Sequence, residues 1–179
     1  MKIYKSKLPE KSVLNDKKKT FNYIDSFEGL YIDKDISVTS TEIGKAFFAS
    51  GPKWVEKLFS LRNQIVTLFG LKISGSVTEM KKKLETFNCE SGEQLGLFKV
   101  YAKSEHEVVL GEDDKHLNFR VSLFSDTQLK ENSFRKLTIT TTVEFNNWFG
   151  RLYFLPVRLF HQLIVPTMLK GIIVELESS

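Results

Sequence analysis

The chain has 179 residues, 41% hydrophobic and 27% charged, with a formal net charge of +4 and a single cysteine, Cys89. That length suits one domain with a sizeable core, and one cysteine excludes an internal disulfide framework and fits a reducing, cytoplasmic setting. The charge is local: residues 1–19 carry seven lysines against Glu10 and Asp16, so the remainder is net −1 and a basic nucleic-acid-binding body is excluded.

Residues 1–19 read as a flexible, solvated lysine-rich arm, and weak contact with an anionic membrane or nucleic acid is the functional alternative. Met1 to Leu14 lacks the apolar core of a secretory signal. Phe21 to Phe27 has strand composition. Thr39-Ser40-Thr41-Glu42 is a capping box that predicts a short helix through Ala46, Phe47 and Phe48, ending near Gly51. Pro52 suits the first turn of a second helix. There Trp54, Leu58, Leu61, Ile65 and Leu68 repeat at spacings of three and four until Gly70. Residues 71–94 are poorly patterned, although Ser76-Val77-Thr78-Glu79 can open a short helix through Lys81, Lys82 and Lys83. Strands are predicted near Leu95–Lys103, Glu107–Glu112, Leu117–Phe124 and Phe134–Phe145. Two of them alternate clearly. Leu117, Phe119, Val121 and Leu123 oppose His116, Asn118, Arg120 and Ser122; Leu137, Ile139, Val143 and Phe145 oppose Lys136, Thr138, Thr140, Thr142 and Glu144. Short turns between such strands make an antiparallel meander.

The last thirty residues are nearly apolar all round and long enough for one helix. A helix apolar on every side is expected to be buried on every side, which a curved sheet wrapped around residues 151–176 would achieve. The expected fold is therefore α+β: an antiparallel curved sheet gripping a long C-terminal helix, with two shorter helices after the first strand. Residues 20–179 form that single helix-grip domain. Leu152 to Val174 is also long enough to span a bilayer. However, Arg158 and Lys170 lie inside it, each costing about 2.5–3.5 kcal/mol near the bilayer centre, and Pro156, Pro166, His161 and Gln162 weaken it further. No stable membrane insertion is expected.

Few motifs carry chemistry. Gly-x-Ser-x-Gly, His-Glu-x-x-His, Cys-x-x-Cys and Gly-x-Gly-x-x-Gly do not occur, and Gly70 to Gly75 lacks the Lys-Ser/Thr of a phosphate loop. Gly111-Glu112-Asp113-Asp114-Lys115-His116 is the densest polar cluster, readable as a cation site or as a solvated turn; no metal is expected. His161, flanked by Phe160, Leu163 and Ile164, is the sharpest catalytic candidate, with Tyr153 or Arg120 as its acid/base partner. Its bland counterpart is a core histidine making one hydrogen bond. Arg151, Arg158 and Gln162 share one helix side, an anion-recognising stripe or an ordinary helix edge. Pro166 should kink or break the helix. Arg120 and Asn118 would anchor a ligand head if their strand face looks inward and would be solvent contacts if it looks outward. Trp148 could line a site or simply belong to the core.

Three separated blocks carry a family resemblance. Gly150-Arg151-Leu152-Tyr153-Phe154-Leu155-Pro156-Val157, continuing to Phe160-His161-Gln162-Leu163-Ile164-Val165-Pro166, resembles the closing motif of a bacterial family labelled only as a domain of unknown function. Trp54-Val55 with Leu61-Arg62-Asn63 and Phe69-Gly70-Leu71-Lys72 resembles its helix motif. Asp114-Lys115-His116-Leu117-Asn118-Phe119-Arg120-Val121 resembles its strand motif. The family is similar to the START and polyketide-cyclase-like superfamily, which implies the same grip fold and often an apolar ligand. The expected function is binding of a small apolar or amphipathic molecule between sheet and helix, without a cofactor. The alternatives are a cyclase- or dehydratase-type enzyme using His161, and a ligand-free interaction module with a packed core.

Overall fold

The structure is a computed structural model that describes residues 1–33, 38–51, 77–126 and 133–178, with only the backbone for residues 77–81. Pro52, the predicted helix of Trp54 to Phe69, Gly70 and the segment up to Ser76 lie outside the described residues. Among those described, seven strands form one antiparallel sheet: β1 (Tyr4–Ser6), β2 (Tyr23–Ile32), β3 (Gln94–Leu95), β4 (Phe98–Lys103), β5 (Glu107–Asp113), β6 (Leu117–Ser125) and β7 (Phe134–Phe145), in the order β1-β2-β7-β6-β5-β4-β3. Three α-helices accompany it, α1 (Ser40–Ala49), α2 (Val77–Thr86) and α3 (Trp148–Ser178), with a short 3-10 helix at Val13–Lys17. The expected α+β helix-grip architecture is the one found.

The strand boundaries follow their side chains. β2 runs past Phe27 because Phe27, Gly29 and Tyr31 continue one face and pair with Ile139, Leu137 and Arg135 of β7. The strand expected over Leu95–Lys103 is instead a hairpin. Gly96 sits at φ 60°, open to glycine, and with Leu97 turns β3 back onto β4. The capping box is real: the Thr39 hydroxyl accepts from the Glu42 N–H while the Glu42 carboxylate accepts from the Thr39 N–H.

The inner sheet face is covered by α1 and α3. Leu110, Leu123, Ile139, Leu169, Ile172 and Ile173 are fully buried together there. The helix approaches the sheet closely at its start. A Cβ on Gly150 would overlap the carbonyl oxygen of His116, so the glycine of the closing block lets α3 dock on the β5–β6 turn. Pro166 does not break α3, which is continuous from Trp148 to Ser178.

Two expectations fail. The first concerns the arm. Its beginning is β1, paired with Ser26, Phe27 and Glu28 of β2. Residues 8–21 then cross the outer sheet face, where Leu8 and Leu14 bury against Val109 and pack with Phe21, Ile24 and Tyr101. At the centre of this contact Glu107 is buried. Its Oε1 accepts from the hydroxyls of Ser12 and Ser122, each at 2.5 Å, and its Oε2 from the Val13 N–H at 2.9 Å. Two leucines among lysines suffice for docking because the sheet supplies the apolar surface they lack. The second concerns α3, which is not buried on every side. From Val165 onward one side is core while Lys170, Val174, Glu175 and Glu177 face solvent; before that its outward side is open to solvent, with Leu155, Leu159 and Leu163 exposed. The sheet reaches one side of the helix and no further.

Candidate functional site

Tyr23 and Asp25, two apart on β2, put their side chains on the inner face, and Phe154, Arg158, His161 and Gln162, spaced four, three and one apart, bring one side of α3 over them. Asp25 is buried. Its Oδ2 accepts from the Tyr23 hydroxyl at 2.6 Å and from His161 Nδ1 at 3.1 Å. Phe154 stands edge-on to the Tyr23 ring at 4.8 Å, and the Arg158 guanidinium lies 5.5 Å above that ring on the exposed rim. Thr141 lies directly across from Asp25 on β7. Asp25 Oδ1 and Thr141 Oγ1 are both buried without a hydrogen-bond partner among the described residues.

The chemistry of this group is set by its donors and acceptors. A carboxylate only accepts, so His161 Nδ1 carries the proton in this contact, and Nε2 is an acceptor in the neutral ring. Burial first, then the bond to Asp25 and its charge, raise the Tyr23 phenol well above its ordinary value, against the opposing pull of Arg158 and Gln162. The Tyr23 hydroxyl is the donor in its bond to Asp25. Asp25 Oδ1, His161 Nε2 and the Thr141 hydroxyl offer two acceptors and a hydroxyl beside the apolar ring of Phe154, with one cation, Arg158, at the rim.

Of the predicted site residues, His161 and Arg158 belong to this cluster. The hydroxyl that shares a carboxylate with His161 is that of Tyr23, not Tyr153, which is half-buried along the helix. Arg120 and Asn118 lie on the outer face, because Phe119 between them and Val121 beyond take the inner one. Arg120 stacks on Tyr101 at 3.5 Å, pairs with Asp113 at 2.7 Å and donates to the carbonyl of Phe119 at 2.8 Å. Burial and a bond to Asp113 push the Tyr101 phenol up to about 12. Asn118 accepts from Asn146 at 2.9 Å. Neither residue can touch a ligand held between sheet and α3. Arg151 is exposed on the helix. Trp148 borders an open cleft of about 420 Å³ with His116, Asn147 and Phe149. The Glu112–His116 cluster is the end of β5 and its turn, and its carboxylates diverge: Asp113 goes to Arg120, while Asp114 accepts from the His116 N–H at 3.2 Å. Among the described residues no three His, Cys, Asp or Glu side chains converge as metal ligands.

Sequence reasoning missed Tyr23 and Asp25. Their only signal was a Tyr-x-Asp alternation inside a strand, and nothing in one strand says which helix residue it will meet.

A family model described as a protein of unknown function, DUF2867, matches residues 18–168. No curated protein matches the chain.

Proposed function

Because the chain belongs to DUF2867, a family without an assigned activity, we propose a function from the site itself: binding of a small amphipathic molecule between the sheet and α3. The observation that carries this reading is the pair of buried, unpartnered oxygens, Asp25 Oδ1 and Thr141 Oγ1, beside Phe154 and His161. Buried polar atoms are nearly always satisfied, and a ligand hydroxyl or amine would satisfy these. Arg158 at the rim would meet an anionic end. Membership of the START and polyketide-cyclase-like folds is part of the same proposal, and it is drawn from the grip architecture rather than from a shared reaction. A cytoplasmic protein is part of the same proposal.

The test is native mass spectrometry of freshly purified protein for a co-purified small molecule, followed by titration with an environment-sensitive fatty-acid probe. Saturable binding at micromolar concentration or tighter is expected. Arg158→Met should weaken it by at least tenfold, as for a lost charged hydrogen bond of about 1.5–3 kcal/mol. Arg120→Met, on the outer face, should leave it unchanged. Absence of binding across fatty acids, sterols and aromatic polyketide mimics would reject the reading in favour of a packed interaction module.

The Asp25 carboxylate on His161 Nδ1 favours a second reading, acid/base chemistry at Nε2, since a carboxylate in that position fixes the tautomer a general base needs. Molecules recovered from wild type and from His161→Gln distinguish the two. Different masses would indicate turnover; identical masses would leave binding as the function.

A further inference from the structure

The first half of α3 presents a side that the described residues leave uncovered. Trp148, Leu152, Leu155, Leu159, Phe160 and Leu163 are all at least half exposed, from Phe160 at 50% to Trp148 at 73%. Their spacing places them on the side opposite Phe154, His161 and Val165, which face the sheet. No polar side chain interrupts this strip; Arg151, Arg158 and Gln162 lie along one flank. It ends where the outward side becomes polar at Thr167 and Lys170.

Charge identifies the occupant. From Trp148 to Val174 the helix carries Arg151, Arg158 and Lys170 and no acidic residue; Glu175 is the first. An apolar strip ending in an exposed tryptophan and flanked by arginines is the composition of a helix that lies in the plane of an anionic bilayer surface, rings and leucines in the acyl boundary and guanidinium groups among the phosphates. A second copy fits less well. Two such strips packed face to face would bring four arginines to one seam with no carboxylate on either helix half to meet them. A transmembrane span does not fit, although α3 has the length and apolarity of one. Leu169, Ile172 and Ile173 are fully buried on the sheet, and the sixteen residues of the strip reach only about 24 Å, short of the roughly 30 Å hydrocarbon core. We infer that residues 148–163 of α3 are a peripheral docking surface for anionic lipid membranes. This holds whatever molecule the sheet–helix site takes.

Co-flotation with vesicles tests it, using phosphatidylcholine alone and phosphatidylcholine with 30% phosphatidylglycerol. The wild type should float with the anionic vesicles at least tenfold more than with the neutral ones. Leu155→Gln with Leu159→Gln should reduce that binding by at least tenfold. Both positions are exposed, so the unfolding midpoint of the double variant should match the wild type, and that match confirms that the variant is folded. In a Trp54→Phe background, the Trp148 emission should shift to the blue on anionic vesicles and not on neutral ones. Three results would overturn the inference. One is no flotation of the wild type with anionic vesicles. Another is flotation that survives the double substitution, which would move the contact to the lysine-rich segment across the sheet. The third is a doubled solution mass that the double substitution returns to that of one chain, which would make a second copy the occupant.

Discussion

Asp25 has two oxygens in different situations. Oδ2 holds two donors and Oδ1 none, so the residue is both a structural clamp and a free acceptor. The clamp can be tested alone. Tyr23→Phe keeps the ring against Phe154 and removes one donor while His161 still satisfies Oδ2. It should cost about 0.5–1.5 kcal/mol in urea unfolding; a loss above about 3 kcal/mol would show that the phenol does more than share the carboxylate. Cys89 is the other residue whose setting decides its chemistry. It is fully buried beside α1 at φ 57°, and burial pushes its thiol from an ordinary value of 9.0 up to about 11. The thiolate is the reactive form, so a disulfide reagent at pH 8 should modify the folded protein far more slowly than the urea-unfolded one. The raised value also links to stability. The unfolded chain gives up this proton first, so the thiol's contribution is intact below pH 9 and is lost as pH rises toward 11. A denaturation series over that range, compared with Cys89→Ala, should show the wild type losing the difference.

At the scale of elements, α3 is one helix with two regimes. Its second half buries Val165, Met168, Leu169, Ile172, Ile173 and Leu176 and turns Lys170, Val174, Glu175 and Glu177 outward, whereas its first half buries Phe154 and turns an apolar strip outward. Apolar content does not distinguish them, since the first half is rich in Leu and Phe and the second in Ile, Val and Leu. Leu169→Ala should cost about 2–5 kcal/mol, the range for a buried leucine that leaves a cavity. Leu155→Ala, on the open side, should stay within about 0.5 kcal/mol. Chemical denaturation of the two variants side by side checks the contrast, and equal losses would mean that the outward strip is covered after all.

At the scale of the molecule, the sheet is covered on both faces, by α1 and α3 on the inside and by residues 8–21 on part of the outside. A polar arm is dispensable; a docked one is not. Deleting residues 1–18 would remove β1, uncover Val109 and strip two of the three donors from buried Glu107. The melting temperature should fall well beyond the few degrees expected of a solvated tail, in a thermal scan of the truncated protein. Glu107→Ala in the full chain should cost on the order of 3 kcal/mol, because the Ser12 and Ser122 hydroxyls and the Val13 N–H then lose a common acceptor. A truncated protein that melts like the wild type would show the segment to be only laid on the surface.

What the amino-acid order determined by itself is what depends on neighbours along the chain. The alternation in Leu117–Leu123 and Leu137–Phe145 set two strands and their buried faces. The Thr39–Glu42 box set the start of α1, and the apolar run after Asn147 set the closing helix and, with the strands, the grip. These signals are periodicities of backbone geometry, legible without knowing any partner. The tertiary structure alone decided which surfaces meet. It placed Arg120 outside and Asp25 under His161, tied Ser12 to Glu107 and packed Leu8 and Leu14 on Val109, and left the strip from Trp148 to Leu163 open. Each of these depends on residues far apart in sequence reaching one place, and on how much of a helix a seven-stranded sheet can reach: local pattern says that a face is apolar, and only the packed molecule says whether anything lies against it.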